Sequence, residues 1–522
     1  MLGRRWLGEK GAKGYGRTAA NPKLRQFRID TMRAFTLMPD RRRNHTRRKG
    51  GAGVFIGLVL LTCAGRVSAS PSAPAASPGG PFEFALGTYN NQAFESARAR
   101  FEDLAHLGQA SAQRNLAVML VKGEGGDRNL PAAYAWLTVA ASQGDSQAQT
   151  LQARAEALLK DSAQQALAHT LADSWTSQFS ERAVMQSIEP DYETSDAESE
   201  DWKSLRNLTA IERTAPSYPP RLASRGVEGW AQIQFLLPDH GHPRDLRLIA
   251  STEPEFAKAA ADALRHWTFT LRRTGLTRTY SQRFNFSNNR SARHEQMLAD
   301  VIQHLEKQAH EGDVTAMYRL AWAIESLPTD HASLSDSASL QWLYSSAVHG
   351  LRDAMYDVSQ RLRSGRGCKA DPTKADRWRS IAAVHGQPDA LRDLAAQAAR
   401  TDLPAEAIFY IRGASALGGR PTDTARLAWL LATIDDDAAR EGRRALDLIN
   451  SVEQSYLDEA AWHEIHAAAL AETGQWQTAI AAQQSAIKQL NTLGIPTDDA
   501  THRLHAYENQ RPLRLPLDSL PF

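Results

Sequence analysis

The feature that most constrains this chain is an internal period of 36 residues. One copy runs from Gly108 through Ala110, Ala112, Leu116-Ala117, Met119-Leu120, Gly123, Gly125-Gly126, Ala132-Ala133, Trp136-Leu137 and Ala140-Ala141 to Gly144-Asp145. Another runs from Gly350 through Asp353-Ala354, Leu362, Gly365, Gly367, Asp371-Pro372, Lys374-Ala375, Trp378 and Ala382-Ala383 to Gly386. From Gly108 to Gly144 and from Gly350 to Gly386 the distance is 36 residues in both copies. A third, looser copy starts at Gly312-Asp313 with Ala316, Leu320-Ala321, Trp342-Leu343 and Ala347. Its inter-helix loop is lengthened by the Ser/Asp-rich stretch Leu327 to Ser337. A period of this size implies stacked units that cannot bury their apolar faces alone.

The physics of one unit is legible. Two amphipathic helices of about 12–14 residues with their turns fill roughly 36 residues. Gly144 is expected to end a helix in the left-handed conformation and Asp145 to cap the next. Asp371-Pro372 repeats that logic at an inner boundary, with proline at the first helical position. Ala140 and Ala141 leave room for a neighbouring helix, and Trp136-Leu137 and Trp378 supply the bulk between helices.

The Leu-x-x-Gly-x-Gly turn and the Ala-Ala-x-x-Gly ending resemble the Sel-one-like subfamily of tetratricopeptide repeats. Phe82 to Leu107 reads as the half-repeat that precedes such an array. Beyond Gly386 the pattern shifts. Leu427-Ala428-Trp429-Leu430-Leu431-Ala432 opens a helix pair ending near Val452, and a second pair carries Trp462, Ala469, Gly474, Trp476, Ala479, Ala482 and Ala486. Gly474-x-Trp476-x-x-Ala479 looks like an ordinary tetratricopeptide repeat.

In the middle, the periodicity switches from helical to alternating. Trp230-Ala231-Gln232-Ile233-Gln234-Phe235 alternates as a strand does, Pro238 to His242 is a turn, and Leu246-Arg247-Leu248-Ile249 returns. Phe256, Ala260, Ala263, Leu264 and Trp267 then fall at helical spacing. Trp267, Phe269 and Leu271 alternate again, and after Gly275 a last strand carries Tyr280, Phe284 and Phe286. A hairpin, a helix and a closing pair of strands are expected. Tyr218-Pro219, Gly226-x-Glu228-Gly229, Asp239-x-Gly241, Phe256-x-x-Ala259-Ala260 and Trp267-x-Phe269 resemble the C-terminal domain of the TonB energy-transducer family over 212–288. The resemblance implies a fold that takes an extended peptide onto its sheet edge.

The N-terminus reads as an export signal. Arg41 to Lys49 is a charged region, Ala52 to Ala64 a short apolar run, and Val67-Ser68-Ala69 offers small residues for cleavage. That run is below the roughly 20 residues that span a bilayer comfortably, although retention as an anchor through 52–64 is the alternative. Leu60-Leu61-Thr62-Cys63 and Thr46-Arg47-Arg48-Lys49 are faint lipoprotein and twin-arginine patterns. Met1, Met32 and Met38 are all candidate starts. Residues 1–50 hold fifteen Lys/Arg and three Asp/Glu, and Arg66 adds one more. Of the formal +2, the leader therefore supplies +13 and the remainder is −11. An acidic remainder argues against nucleic acid as a partner.

Two cysteines exist, Cys63 in the leader and Cys368. The mature part can form no internal disulfide, and Cys368 is expected to pack in a repeat turn. His240 and His242 flank Gly241 without a third ligand at useful spacing. His304, His310, His331 and His349 form no H-E-x-x-H arrangement, and Gly123-Glu124-Gly125-Gly126 lacks the Lys-Ser/Thr of a phosphate loop. No G-x-S-x-G elbow appears. No catalytic, cofactor-binding or metal-binding residue is assigned, and no cofactor is expected.

The expected fold is mostly α: a helical repeat solenoid with an inserted small α+β domain. Its parts are a basic leader and signal peptide (1–69), Sel-one-like repeats (82–175), an acidic linker (176–204) and the TonB-like domain (205–290). Sel-one-like repeats (295–400), tetratricopeptide-like repeats (401–490) and a Pro-containing tail (491–522) follow. The function expected is a non-enzymatic exported scaffold or adaptor of the periplasm, binding proteins, extended peptide segments, peptidoglycan or outer-membrane proteins. The alternative is a TonB-like component of an energised transport system anchored in the inner membrane.

Overall fold

In a computed structural model, residues 79–192, 210–237, 243–269, 278–286, 302–324 and 332–517 are described, apart from 419, 455, 456, 458 and 493. The leader, its apolar run and the His240–His242 turn lie outside them. Among the described residues no helix is long and apolar enough to cross a membrane.

The first helical array consists of antiparallel pairs: α1 Pro81–Asn90 with α2 Phe94–His106, α3 Ala110–Lys122 with α4 Leu130–Ser142, and α5 Ser146–Glu156 with α6 Ser162–Phe179. The 82–107 segment is thus a full helical pair rather than a half-repeat. The second array pairs α10 Val314–Ile324 with α11 Ala332–Val348, α12 Arg352–Ser364 with α13 Pro372–Val384, and α14 Pro388–Arg400 with α15 Pro404–Gly418. It continues through α16 Pro421–Thr433 with α17 Gly442–Ser451, α18 Glu459–Glu472 with α19 Trp476–Thr492, and ends on α20 Asp498–Glu508.

The two in-register repeats are closed by the residues expected. The side chain of Asp145 accepts from the N–H groups of Gln147 at 3.0 Å and Ala148 at 2.9 Å, and Asp371 accepts from Lys374 N–H at 3.0 Å. The Gly-x-Gly turn has a double role. Gly123 (φ +76°) and Gly365 (φ +73°) end α3 and α12 in the left-handed region, where a Cβ is unfavourable. Gly125 (φ +72°) and Gly367 (φ +77°) add a close approach. A Cβ there would sit 2.7 Å from the carbonyl carbons of Phe94 and Asp336, respectively. Both neighbours stand 31 residues upstream, in the second helix of the preceding pair or at its first residue. The second glycine is where one repeat is pressed against the last.

Two expected boundaries are corrected. Residues 176–192 are not a solvated linker. The last turn of α6 reaches Phe179, α7 Glu181–Ser187 follows, and Val184, Met185 and Ile188 are buried among the second array's apolar side chains. Only part of the acidic run, 193–204, lies outside the described residues. Nor is 491–517 a loose tail: α20 buries Ala500 and Tyr507, Leu513 and Leu517 join the core, and Leu515 bridges Ile434 in parallel. Likewise, the Ser/Asp-rich stretch before Ser337 is helical from Ala332 onward.

The two arrays pack on each other although the central domain separates them in sequence. Phe84 of α1 stands 5.1 Å from Phe409 and 5.9 Å from Tyr410 of α15. Arg100 of α2 reaches Glu406 at 2.5 Å and lies 4.5 Å over the Phe84 ring.

The central domain contains β1 Ala210–Glu212, α8 Pro220–Ala223, β2 Gly229–Leu237, β3 Arg244–Ser251, α9 Pro254–Leu264, β4 Thr268–Phe269 and β5 Arg278–Phe286. Ala231, Ile233 and Phe235 of β2 meet Phe256, Ala260, Ala263 and Leu264 of α9 in one buried cluster. The closing strands differ from expectation, because they do not pair with each other. β5 pairs with β2 to give the antiparallel order β3-β2-β5, and β4 pairs with β1. The Trp267 indole N–H donates to Thr214 O at 2.8 Å, fixing that small second sheet.

Candidate partner-binding surfaces

The central sheet has two edges of different character. On one, β3 pairs with β2 through a register broken between Gln232 and Ile233 and again between Gln234 and Leu236, and α10 runs beside it. Irregular, flanked edges resist adding a strand. On the other, β5 pairs with β2 in unbroken register from Gly229–Phe286 to Leu237–Arg278. No strand pairs with its outer side among the described residues. Phe284 and Phe286 anchor β5 in the core while Asn285 is exposed. Arg283 lies 5.0 Å over the Trp230 ring, and burial lowers its pKa. Of the two edges, β5 has the geometry for β-augmentation.

A second surface is built by the turn before α13 and by α13 itself. Residues 188–192 run over it without helix or sheet pairing. The Trp378 indole N–H donates to Ile188 O at 3.0 Å, the Lys374 ammonium to Glu189 O at 2.7 Å, and Lys369 N–H to Asp191 O at 2.8 Å. Ile188 and Pro190 are buried and Tyr192 packs against the same core, whereas Asp191 is exposed. Just upstream, His385 and Glu181 meet at 2.5 Å. Main-chain carbonyls held by fixed donors, with alternate side chains inserted, is how an extended peptide is recognised.

Polar side chains on the first helices of the second array link each pair to the next. Tyr318 donates to Asp357 at 2.8 Å and Tyr356 to Asp393 at 3.1 Å. Arg392 forks onto Asp423 at 2.6 and 2.8 Å and also reaches Asp389 at 2.7 Å, while Arg420 meets Asp389 at 2.8 Å. Burial opposes ionisation of Asp389, but the Arg392 and Arg420 charges outweigh it and hold its carboxyl far below the usual range. Asp393 is pushed the other way by burial. Such a network gives register between repeats, since every buried charge needs its partner.

No group of three metal-ligating side chains stands together among the described residues. His310 packs edge-on against Trp342, and His349 is bonded to Ser345 O. Cys368 is buried in the turn between α12 and α13, as expected, and burial pushes its thiol up to about 11. Sequence reasoning missed the Lys369–Trp378 surface altogether. The signal was the alternation Ile188-x-Pro190-x-Tyr192 at the head of a stretch whose acidic composition reads as a linker.

Residues 110–145 and 352–383 match the Sel1 repeat family, and residues 214–287 match the Gram-negative bacterial TonB protein C-terminal. The chain carries Sel1-like repeats and, between them, a TonB C-terminal-like domain. Similar solved structures include the TonB C-terminal domain of Pseudomonas aeruginosa, at 23% identity over 16% of this chain and 91% of that one, with a TM-score of 0.15. A Sel1 repeat protein from Oxalobacter formigenes is 16% identical over 41% of this chain and 97% of its own, with a TM-score of 0.28. A protective antigen of uropathogenic Escherichia coli strains displaying an SLR fold is 14% identical over 82% and 83% of the two chains, with a TM-score of 0.29. No curated protein matches the sequence. The Sel1-like, TonB-like reading of the repeats and of the central domain therefore stands on the family matches and the fold together.

Proposed function

We propose that this protein is an exported, non-enzymatic scaffold of the Gram-negative envelope that holds extended segments of partner proteins, with β5 of the TonB-like domain as the principal acceptor edge. The observation carrying this reading is the unbroken β5 register, which presents a nine-residue strand bearing no second strand on its outer side among the described residues. Such an edge offers a row of main-chain donors and acceptors to an incoming strand. Peptidoglycan and outer-membrane proteins are the partner classes nearest to hand in the periplasm. A role in energised transport fits less well, because the domain is joined at both ends to helical repeats rather than carried at the end of a spacer.

The test is site-specific photo-crosslinking in cells from Asn285, an exposed β5 position. Adducts with defined envelope proteins, lost when β5 is interrupted by Gln282→Pro, support the reading. Crosslinks unaffected by the proline, or no adduct at all from this strand, refute it.

A further inference from the structure

The surface formed by Lys369–Trp378 is already filled by a piece of the chain itself: Ile188 joins the second array's core, and the main chain of 188–192 is held by donors from that short stretch. Ile188, Pro190 and Tyr192 point inward, and residues 189 and 191 between them are acidic. Three of the five carbonyls are taken by donors from one short stretch: Trp378, Lys374 and the Lys369 amide. Lys369 and Lys374 are opposite in charge to Glu189 and Asp191, and the hydrogen bonds they make to this stretch go to its main-chain carbonyls. No element of 188–192 pairs into a helix or sheet, so its order within the fold derives from these contacts and the packing of the inward side chains. Lys374 is only half-buried, and its carbonyl contact spans 185 residues of sequence.

We propose that Lys369–Trp378 is a recognition site for extended protein segments of the pattern apolar–acidic–Pro–acidic–aromatic, kept closed by residues 188–192 acting as an internal ligand. A partner segment of that chemistry competes with 188–192 for the same donors, and its binding releases residues 188–192 from them. The inference rests on the reading of the repeats as holders of extended segments and gives one such site its ligand. An internal ligand acts at an effective concentration in the millimolar range, so the wild-type chain should resist a free peptide strongly.

The probe is a fluorescein-labelled peptide with the sequence of residues 186–192, followed by anisotropy with the full chain. Ile188→Gly, Pro190→Gly and Tyr192→Gly together open the site. The opened protein should bind the probe at least about 50-fold more tightly than wild type, and adding Lys374→Ala should weaken that binding about tenfold. Absence of binding to an opened protein with a native far-UV spectrum overturns the proposal. So does equal binding to wild type and opened protein, which would put the probe elsewhere. Hydrogen exchange of the unaltered chain covers the case in which the triple variant fails to fold. Unlabelled peptide at several millimolar should speed exchange across 186–192, and unchanged exchange there overturns the proposal. None of these outcomes bears on the Asn285 crosslinks, so failure here and failure of the scaffold reading are distinguishable.

Discussion

Replacing Gly367 by alanine tests whether the second glycine of the repeat turn exists to let successive repeats touch. Two costs apply there. The first is conformational: at φ +77° a Cβ is disfavoured by about 1–2 kcal/mol. The second is steric, because the new carbon would lie 2.7 Å from the Asp336 carbonyl carbon and closer still to its oxygen. Backbone cannot swing aside as a long side chain can, and overpacking of this kind costs about 1–3 kcal/mol more. Asp336 also receives Arg366 at 3.0 Å, so a shift of this backbone disturbs that pair too. Gly350 is the built-in control: its φ is +97°, but nothing lies within 4 Å of an added Cβ. Gly350→Ala should therefore lose about 1 kcal/mol and Gly367→Ala about 3 kcal/mol. In the first array, Gly144→Ala and Gly125→Ala form the same pair, with the Phe94 carbonyl in place of Asp336. Urea unfolding followed by far-UV circular dichroism measures all four variants. Equal destabilisation of Gly367→Ala and Gly350→Ala, within about 0.5 kcal/mol, would refute the close-approach argument and leave the turn with a purely conformational role.

Three further outcomes are expected. Asp389 carries a depressed carboxyl pKa, so its contribution is complete above the ordinary carboxylate range and is lost as pH falls through and below it. Asp389→Asn should cost roughly 3 kcal/mol at pH 7 and show a shallower loss of stability between about pH 5 and 3 than wild type, read by urea titrations across pH. Asp371→Ala removes the α13 cap and should cost about 1 kcal/mol, whereas Asp371→Asn should recover most of it in the same assay. Cys368, buried with its thiol pushed up to about 11, should react with a thiol reagent at pH 8 about two orders of magnitude more slowly than free cysteine, and at the ordinary rate once the chain is unfolded.

The repeat lattice was legible because its determinants are local. Gly144-Asp145 and Asp371-Pro372 mark helix ends within a few residues of themselves, and the 36-residue period aligns them. In the central domain, Ile233, Phe235 and Phe256 gave the strand and helix faces for the same reason. What escaped depends on partners far along the chain. The three-residue β1 has no pattern of its own and exists because Ala210 and Glu212 meet Phe269 and Thr268. Residues 181–192 read as solvated from their charges, since the donors that take up their carbonyls lie about 180 residues onward. The α14–α15 pair was obscured because its first helix hides charged residues, Asp389 and Arg392, where an apolar stripe would be sought. As for the binding surfaces, the TonB-like residues pointed to a sheet edge, but only the register separates an irregular β3 from a straight β5.

Cell fractionation with N-terminal sequencing of the mature protein tests the central claim most directly. An exported and released scaffold predicts a new N-terminus at Ser70 in the soluble periplasmic fraction. An intact N-terminus retained in the inner membrane would contradict it, and would make residues 52–64 an anchor for a transducer-like component.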